Sequence, residues 1–219
     1  GYVQANKQNP AVQAAFTNSD EEGGLDGACY YSRICVKTEN ADKYKSGDTY
    51  TIDNIKGGSF SFVSATSTSG FKVPSSTIVS HFGLESSDEL LEGGSFFSEV
   101  LFGKSHQGSA VNLLAGDADA AAFDDVDVDM YFDLVEGEAN TVGAVYQVKA
   151  DAEAPFDSVR GEQFTIIGIS DVLNSPFCFN EDALDEDARV AITDYFCSDA
   201  VANDPAIFID PEDENAKGI

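Results

Sequence analysis

The sequence predicts an α/β fold with mostly parallel sheets, and three observations carry that expectation. Strand-like apolar runs alternate with segments of helical period along the chain. At least two of the strand-like runs pass directly into helix starts rich in Ser, Thr, Lys and His. The 219 residues include 42% apolar side chains, with 16 Phe and 8 Tyr, enough to bury about 70–75% of the unfolded surface. Length alone allows one or two domains.

Taken in order, Asn9 and Pro10 read as the N-cap and first position of a helix whose apolar face is Ala11, Val12, Ala15 and Phe16. A polar, Gly-rich loop spans Ser19 to Gly27, and Cys29 to Val36 (CYYSRICV) is a strand by its β-branched and aromatic content. Lys43 to Gly58 reads as surface connection. Ser59 to Val63 (SFSFV) is a strand followed at once by a helix capped by Thr66 or Ser67 and stopped by Gly83, with Pro74 awkward inside it. Phe96 to Phe102 is the next strand, and Ser105 caps a helix from His106 to Leu114 that Gly116 ends. Ala118 to Phe123 is a third strand, followed by a helix from Asp127 to Val135. Strands at Val142 to Lys149 and Phe164 to Ile169 and an amphipathic helix at Ala183 to Cys197 complete the series.

The 39 acidic and 12 basic side chains give a formal charge of −27. That speaks against nucleic acid as a partner, because phosphate backbones are held mainly by Lys and Arg, and against anionic lipid headgroups. No apolar run approaches the roughly 18–20 residues of a membrane span. Cys29, Cys35, Cys178 and Cys197 form no CxxC pair and have no His at metal spacing, so no metal site and no cofactor is expected. Buried thiols are favoured over disulfides, with Cys178 and Cys197 the pair to form if any does.

Two of the turns carry chemistry. A helix N-terminus offers unpaired N–H groups and a partial positive charge. Ser67, Thr68 and Ser69 add three hydroxyls to one such terminus, a donor set suited to a tetrahedral oxyanion; the plainer reading is ordinary capping. KSHQGSA repeats the arrangement after another strand, so His106 is either a ligand contact or a solvated capping residue, and His81 near a helix end is read as solvated. The acids from Asp124 to Asp133 lack the EF-hand's Gly and closing Glu and read mostly as a solvated face. Asp124 and Asp125 follow the third strand directly; a carboxylate there repels a bare oxyanion but accepts a hydrogen bond from a protonated one. Ser69 and Lys72 match SxxK, the nucleophile signature of penicillin-recognising serine enzymes, yet no SDN and no later KTG-like tripeptide follow.

In order along the chain, GYVQA (Gly1 to Ala5), YYS (Tyr30 to Ser32), IKG (Ile55 to Gly57), STSGFKVP (Ser67 to Pro74), SHQGSAVNLLAGDADAAAFD (Ser105 to Asp124) and LNSP (Leu173 to Pro176) resemble the phosphate/phosphite/phosphonate-binding proteins of ABC importers, of the type II periplasmic-binding fold. The resemblance implies a non-enzymatic solute-binding protein outside the cytoplasm, of lipoprotein or periplasmic type. It would capture a phosphorus oxyanion between two lobes and pass it to an ABC permease. It implies Tyr30, Ser67, Thr68, Ser69 and His106 as ligand contacts. Asp124 falls where phosphonate binders place an acid for the ligand's amino group, with Val126 at the acid's own register and Ser175 in place of an Asp, which leans towards phosphate, phosphite or a small phosphonate. Lobe one, residues 1–34 plus 171–219, is expected to be an incomplete sheet whose exposed edge favours self-association, and lobe two, residues 35–170, to be complete. The alternatives are a serine acyl-enzyme using Ser69 and Lys72 and a truncated relic that binds nothing.

Overall fold

The structure, a computed structural model, describes residues 2–19, 24, 27–204 and 207. Its strands are β1 (Val12–Phe16), β2 (Cys29–Lys37), β3 (Lys45–Ser46), β4 (Thr49–Tyr50), β5 (Ser59–Phe62), β6 (Glu99–Phe102), β7 (Ala120–Asp124), β8 (Phe132–Glu136), β9 (Val145–Val148), β10 (Gln163–Leu173) and β11 (Phe177–Asn180). Its helices are α1 (Tyr2–Gln8), α2 (Val73–Phe82), α3 (His106–Ala115), α4 (Glu186–Phe196) and α5 (Asp199–Ala202). The chain divides into two compact units, residues 29–172 and residues 1–28 with 173–219.

The larger unit is built on a seven-stranded sheet of order β6-β5-β7-β2-β10-β9-β8. β5 runs parallel to both β6 and β7, whereas β2 is antiparallel to β7, β10 to β9, and β9 to β8. The α/β class therefore holds with a mixed sheet in place of the mostly parallel one expected. The cause lies in the connections: parallel neighbours need a crossover of a dozen or more residues, usually helical, and the segments holding α2 and α3 supply it. The short link from β8 to β9 allows only a hairpin-like return.

Alternation along the central strands builds a core on each face. Ile34, Val36, Phe60, Phe62, Ala120, Ala122 and Ile167 point to one layer with Ile78 of α2. Cys35, Ala121, Phe123, Phe164 and Ile166 point to the other with Ala110, Leu113 and Leu114 of α3. This double burial explains why AAAFD and QFTIIG read as continuous apolar runs. Each such Phe or Ile contributes about 1.5–3 kcal/mol when fully buried. The chain goes from β5 through α2 to β6 on one side, then through α3 to β7 on the opposite side of β5. β5 is thus a switch point, the place where ligands of open α/β sheets bind, beyond the carboxyl ends of the strands.

Two expectations in this unit are corrected. Lys43 to Gly58 is more than surface connection: it begins at the end of a 3₁₀ helix (Thr38–Tyr44), holds the β3–β4 hairpin, and sends Tyr44, Ile52 and Ile55 into the core. Asp127 to Val135 is not one continuous helix: Asp125 O collects the N–H groups of Val128 and Asp129 in a tight turn, Asp129–Tyr131 makes a single 3₁₀ turn, and Phe132–Glu136 then pairs with β9.

In the smaller unit, β1 and β11 form a two-stranded antiparallel ribbon. The helix expected over Ala11 to Phe16 is instead β1. Asn9 Oδ1 accepts the Ala11 N–H at 3.0 Å and Asn9 O accepts the Val12 N–H, which turns the chain after α1. VQAAF then pairs with the FCFN of β11, so a distant partner overrides the local pattern. Phe16 stacks on Phe177 and Phe196, with ring centroids 4.9 and 5.5 Å apart. The amphipathic helix is α4, capped by Asp185 Oδ1 on the Ala188 N–H at 2.8 Å. The Ser19 to Gly27 loop lies mostly outside the described residues. None of the four cysteines is in a disulfide, and only Cys35 is buried, with Cys29 partly so; Cys178 and Cys197 are exposed, contrary to expectation. Strand alternation turns Cys178 to the face of β11 opposite Phe177 and Phe179, which pack on Phe16.

Candidate functional site

Three strand ends and one strand start converge on the carboxyl edge of β5, β6 and β7. After β5, Ser67 caps the following turn by accepting the Gly70 N–H at 3.0 Å. Thr68–Lys72 then makes one π turn, in which the Lys72 N–H reaches back five residues to Ser67 O, before α2 begins. The π turn resolves the awkward proline. Pro74 has no N–H for Gly70 O, and that carbonyl accepts the Val63 N–H at 3.1 Å instead. Gly70 has no substitute here, since a Cβ would lie 2.2 Å from Val63 Cγ2. The turn leaves Thr68 exposed, Ser67 half-buried and Ser69 buried.

After β6, Ser105 Oγ accepts the Gly108 N–H at 2.9 Å, and α3 runs from His106 to Ala115 with Gly116 left-handed at its end, as the sequence predicts. Lys104 holds a left-handed φ of 68° and donates its N–H to Val63 O at 2.9 Å, which ties this turn to the one after β5. β7 ends at Asp124. Because β2 is antiparallel to β7, its first residues lie at the same edge: Ser32 is in register with Asp124, and Tyr30 precedes it.

The side chains interlock there. Ser69 Oγ donates to Asp124 Oδ2 at 3.1 Å and is also hydrogen-bonded to the Tyr30 hydroxyl. Ser32 Oγ donates to Ser69 O at 2.7 Å. His106 Nδ1 accepts the Asp124 N–H at 2.9 Å, and its Nε2 stands 3.3 Å from Asp124 Oδ2 and 3.9 Å from Asp127 Oδ2. Asp124 Oδ1 accepts the Asp127 N–H at 3.1 Å. Tyr30, Ser69, His106 and Asp124 thus form one connected cluster, with Ser67 and Thr68 on the adjoining turn. Burial, reinforced by Asp127, raises Asp124 to about 7. Burial likewise holds His106 below its usual range and Tyr30 above its own. His81 is apart from this site, its Nε2 2.6 Å from Asp53 Oδ1 at the surface.

His106, Asp124 and Asp127 present ligand atoms within 4.8 Å of one another, the spacing of a cation site. The tautomer argues otherwise. With Nδ1 occupied by the Asp124 N–H, the neutral ring carries its proton on Nε2, so the nitrogen that faces the carboxylates is a donor and not a metal ligand.

Sequence reasoning missed the group that holds the acidic loop in place. Arg33 is fully buried; its Nη1 and Nη2 donate to the two carboxylate oxygens of Asp129 at 2.5 and 2.7 Å, and its Nε donates to Asn140 Oδ1 at 2.8 Å. Asn140, at a left-handed φ of 53°, donates Nδ2 to Asp125 Oδ2 at 3.2 Å, and Asp125 Oδ1 accepts the Tyr31 N–H at 2.9 Å. Asp125 and Asp129, either side of Asp127, are thereby fixed to the strand that carries Tyr30. The available signal was an arginine inside an otherwise apolar strand, since a buried guanidinium requires a carboxylate partner.

The family model for periplasmic phosphonate substrate-binding proteins of ABC transporters matches residues 1–210. The chain belongs to this family. Similar solved structures include PhnD1 from Prochlorococcus marinus in complex with methylphosphonate, 16% identical with a TM-score of 0.52 over 87% of this chain and 58% of that one. XAC2383 from Xanthomonas citri bound to chloride is 16% identical with a TM-score of 0.53 over 90% of this chain and 61% of that one. The same protein bound to ATP gives 13% identity and a TM-score of 0.51 over 88% and 58% of the two chains. These likenesses show the fold, and the chain spans less than two thirds of the length of each. No curated protein sequence matches it.

Proposed function

We propose that this chain binds a small phosphorus oxyanion, phosphate, phosphite or a phosphonate, as the extracytoplasmic solute-binding component of an ABC importer, and hands it to a permease without chemical change. The observation that carries the reading is the convergence, at the switch point beside β5, of the Ser67–Ser69 hydroxyls and the turn's amides with Tyr30 and His106. All are neutral donors: Ser69, Tyr30 and His106 belong to the network around Asp124, and Ser67 and Thr68 lie on the more open side of the turn. Family membership and the methylphosphonate found in PhnD1 support the ligand class. No helix among the described residues is long and apolar enough to cross a membrane.

With 39 acids against 12 bases, long-range attraction cannot gather the ligand; capture rests on short-range donors, because exposed charges beyond about 10 Å are largely screened at ~0.1 M salt. The acyl-enzyme alternative gains no support. Ser69 Oγ is engaged by Asp124, and Lys72 is exposed. Ser67→Ala combined with Thr68→Ala is expected to lower methylphosphonate affinity by at least about 100-fold, two hydrogen bonds to a charged ligand at about 1.5 kcal/mol each. The melting temperature should change by only a few degrees. Calorimetric titration with thermal melts checks both; unchanged affinity would remove the Ser turn from the site.

A further inference from the structure

On its β7 side, the start of β2 is held at the site by a side chain and not by the sheet. The ladder between the two strands runs from Val36 and Ala120 to Ser32 and Asp124 and stops there. Beyond it the chain peels away, because Asp125 O collects the Val128 and Asp129 N–H groups. The Tyr31 N–H needs another acceptor, and Asp125 Oδ1 takes it at 2.9 Å in place of a carbonyl. Tyr30, whose hydroxyl is bonded to Ser69, therefore rides on a link set by where one carboxylate sits. That carboxylate has no cation of its own. Asp124, Asp125, Asp127 and Asp129 stand close together in the chain, and among the described residues the one Lys or Arg ion-paired with any of them is Arg33, through Asp129.

Asn140, in the loop between β8 and β9, joins the two. Its Oδ1 accepts from Arg33 Nε at 2.8 Å and from Nη2, and its Nδ2 donates to Asp125 Oδ2 at 3.2 Å. A guanidinium has only donors and an ionised carboxylate only acceptors, so the amide can face them in one way, oxygen towards Arg33. Its backbone is fixed as well. The residue holds a left-handed φ of 53°, which Asn adopts more readily than most side chains, and donates its N–H to the Tyr146 hydroxyl at 3.2 Å. The Arg33 guanidinium stands over that same Tyr146 ring, 4.7 Å from its centroid. Arg33, already paired with Asp129, thus acts on Asp125 through a neutral side chain. We propose that Asn140 is a positioning residue for the oxyanion site: it holds Asp125 on the Tyr31 N–H and so keeps the Tyr30 hydroxyl at Ser69. The inference rests on the oxyanion reading above and adds a residue that acts on the ligand only through others.

Calorimetric titration of the intact chain with methylphosphonate tests this on wild type, Asn140→Asp and Asn140→Gly, with thermal melts alongside. Asn140→Asp keeps an acceptor for Arg33 but replaces the donor that Asp125 needs with a second acceptor. It is expected to bind at least about tenfold more weakly, the size of one hydrogen bond to a charged group, while melting within a few degrees of wild type. Asn140→Gly keeps the left-handed backbone, removes both bonds, and should lose at least as much affinity. The route through Tyr30 is read from a double-mutant cycle. Once Tyr30→Phe has removed the hydroxyl, Asn140→Asp should cost less than about threefold. Wild-type affinity in Asn140→Asp, which a residue that merely anchors Arg33 would give, overturns the inference and leaves the oxyanion reading standing. An undiminished loss on top of Tyr30→Phe does the same. No binding by the wild type overturns both. Asn140→Gly carries the affinity and the cycle if Asn140→Asp does not fold.

Discussion

Gly108→Ala is expected to destabilise the protein by about 3 kcal/mol and to weaken oxyanion binding at least tenfold, although glycine-to-alanine changes inside helices ordinarily stabilise by about 1 kcal/mol. The reversal of sign comes from the approach of two backbones. A Cβ on Gly108 would lie 2.1 Å from Gly103 O, and one on Gly103 would lie 2.2 Å from the Ser109 nitrogen. Neither contact involves a flexible side-chain end, so relief requires the first turn of α3 to lift from the β6–α3 turn. That motion moves Ser105, whose Oγ caps the helix, and His106, whose ring is bonded to the Asp124 amide. Ser109, which donates to Ser61 O and Ala122 O at 3.0 Å each, would lose its anchorage to β5 and β7. Chemical denaturation with calorimetry measures both effects; a stabilised variant with unchanged affinity would show that the close approach does not set the site.

The second large effect is a pH dependence carried by Asp124. Its folded-state value of about 7 lies above an unfolded value near 3.9, so the native protein binds this proton more tightly than the unfolded chain. The contribution of this group is most favourable below about pH 4, is lost as pH rises from there to about 7, and is constant above. Three pKa units correspond to about 4 kcal/mol. The ligand-free Asp124→Asn variant has no such titration, so its stability relative to wild type should improve by up to that amount between pH 4 and pH 8. Comparing the two proteins cancels the other carboxylates, which titrate in both. A flat difference across the range would mean that Asp124 is ionised in the folded state at little cost.

What was legible in the sequence was local. Ser105 as a cap, Gly116 as a stop and Ser67 as the start of the donor turn each follow from a few neighbouring residues, and each is found at its predicted position. Tyr30 and Asp124 sit at one edge as the start of β2 and the end of β7, and Ser69 and His106 join them from the strand-to-helix turns after β5 and β6, an order that motifs along the chain can convey. What was hidden depended on distant partners. VQAAF has no strong strand signal until FCFN, about 165 positions later, pairs with it. Arg33 finds Asp129 and Asn140 at separations of 96 and 107 residues, so the clamp on the acidic loop has no local trace beyond a charge in an apolar run. Pro74 was the opposite case: a visible misfit, explained only when Val63 supplies the hydrogen bond that the proline cannot.

The claim on which the rest depends is that the switch-point edge of residues 29–172 takes a phosphorus oxyanion. Titrating methylphosphonate into the isotopically labelled intact chain, with amide resonances assigned, tests it directly. The account predicts saturable shifts concentrated at Ser67 to Gly70, His106, Asp124 and Tyr30. No shift at these residues up to millimolar ligand, or shifts centred elsewhere, would contradict it.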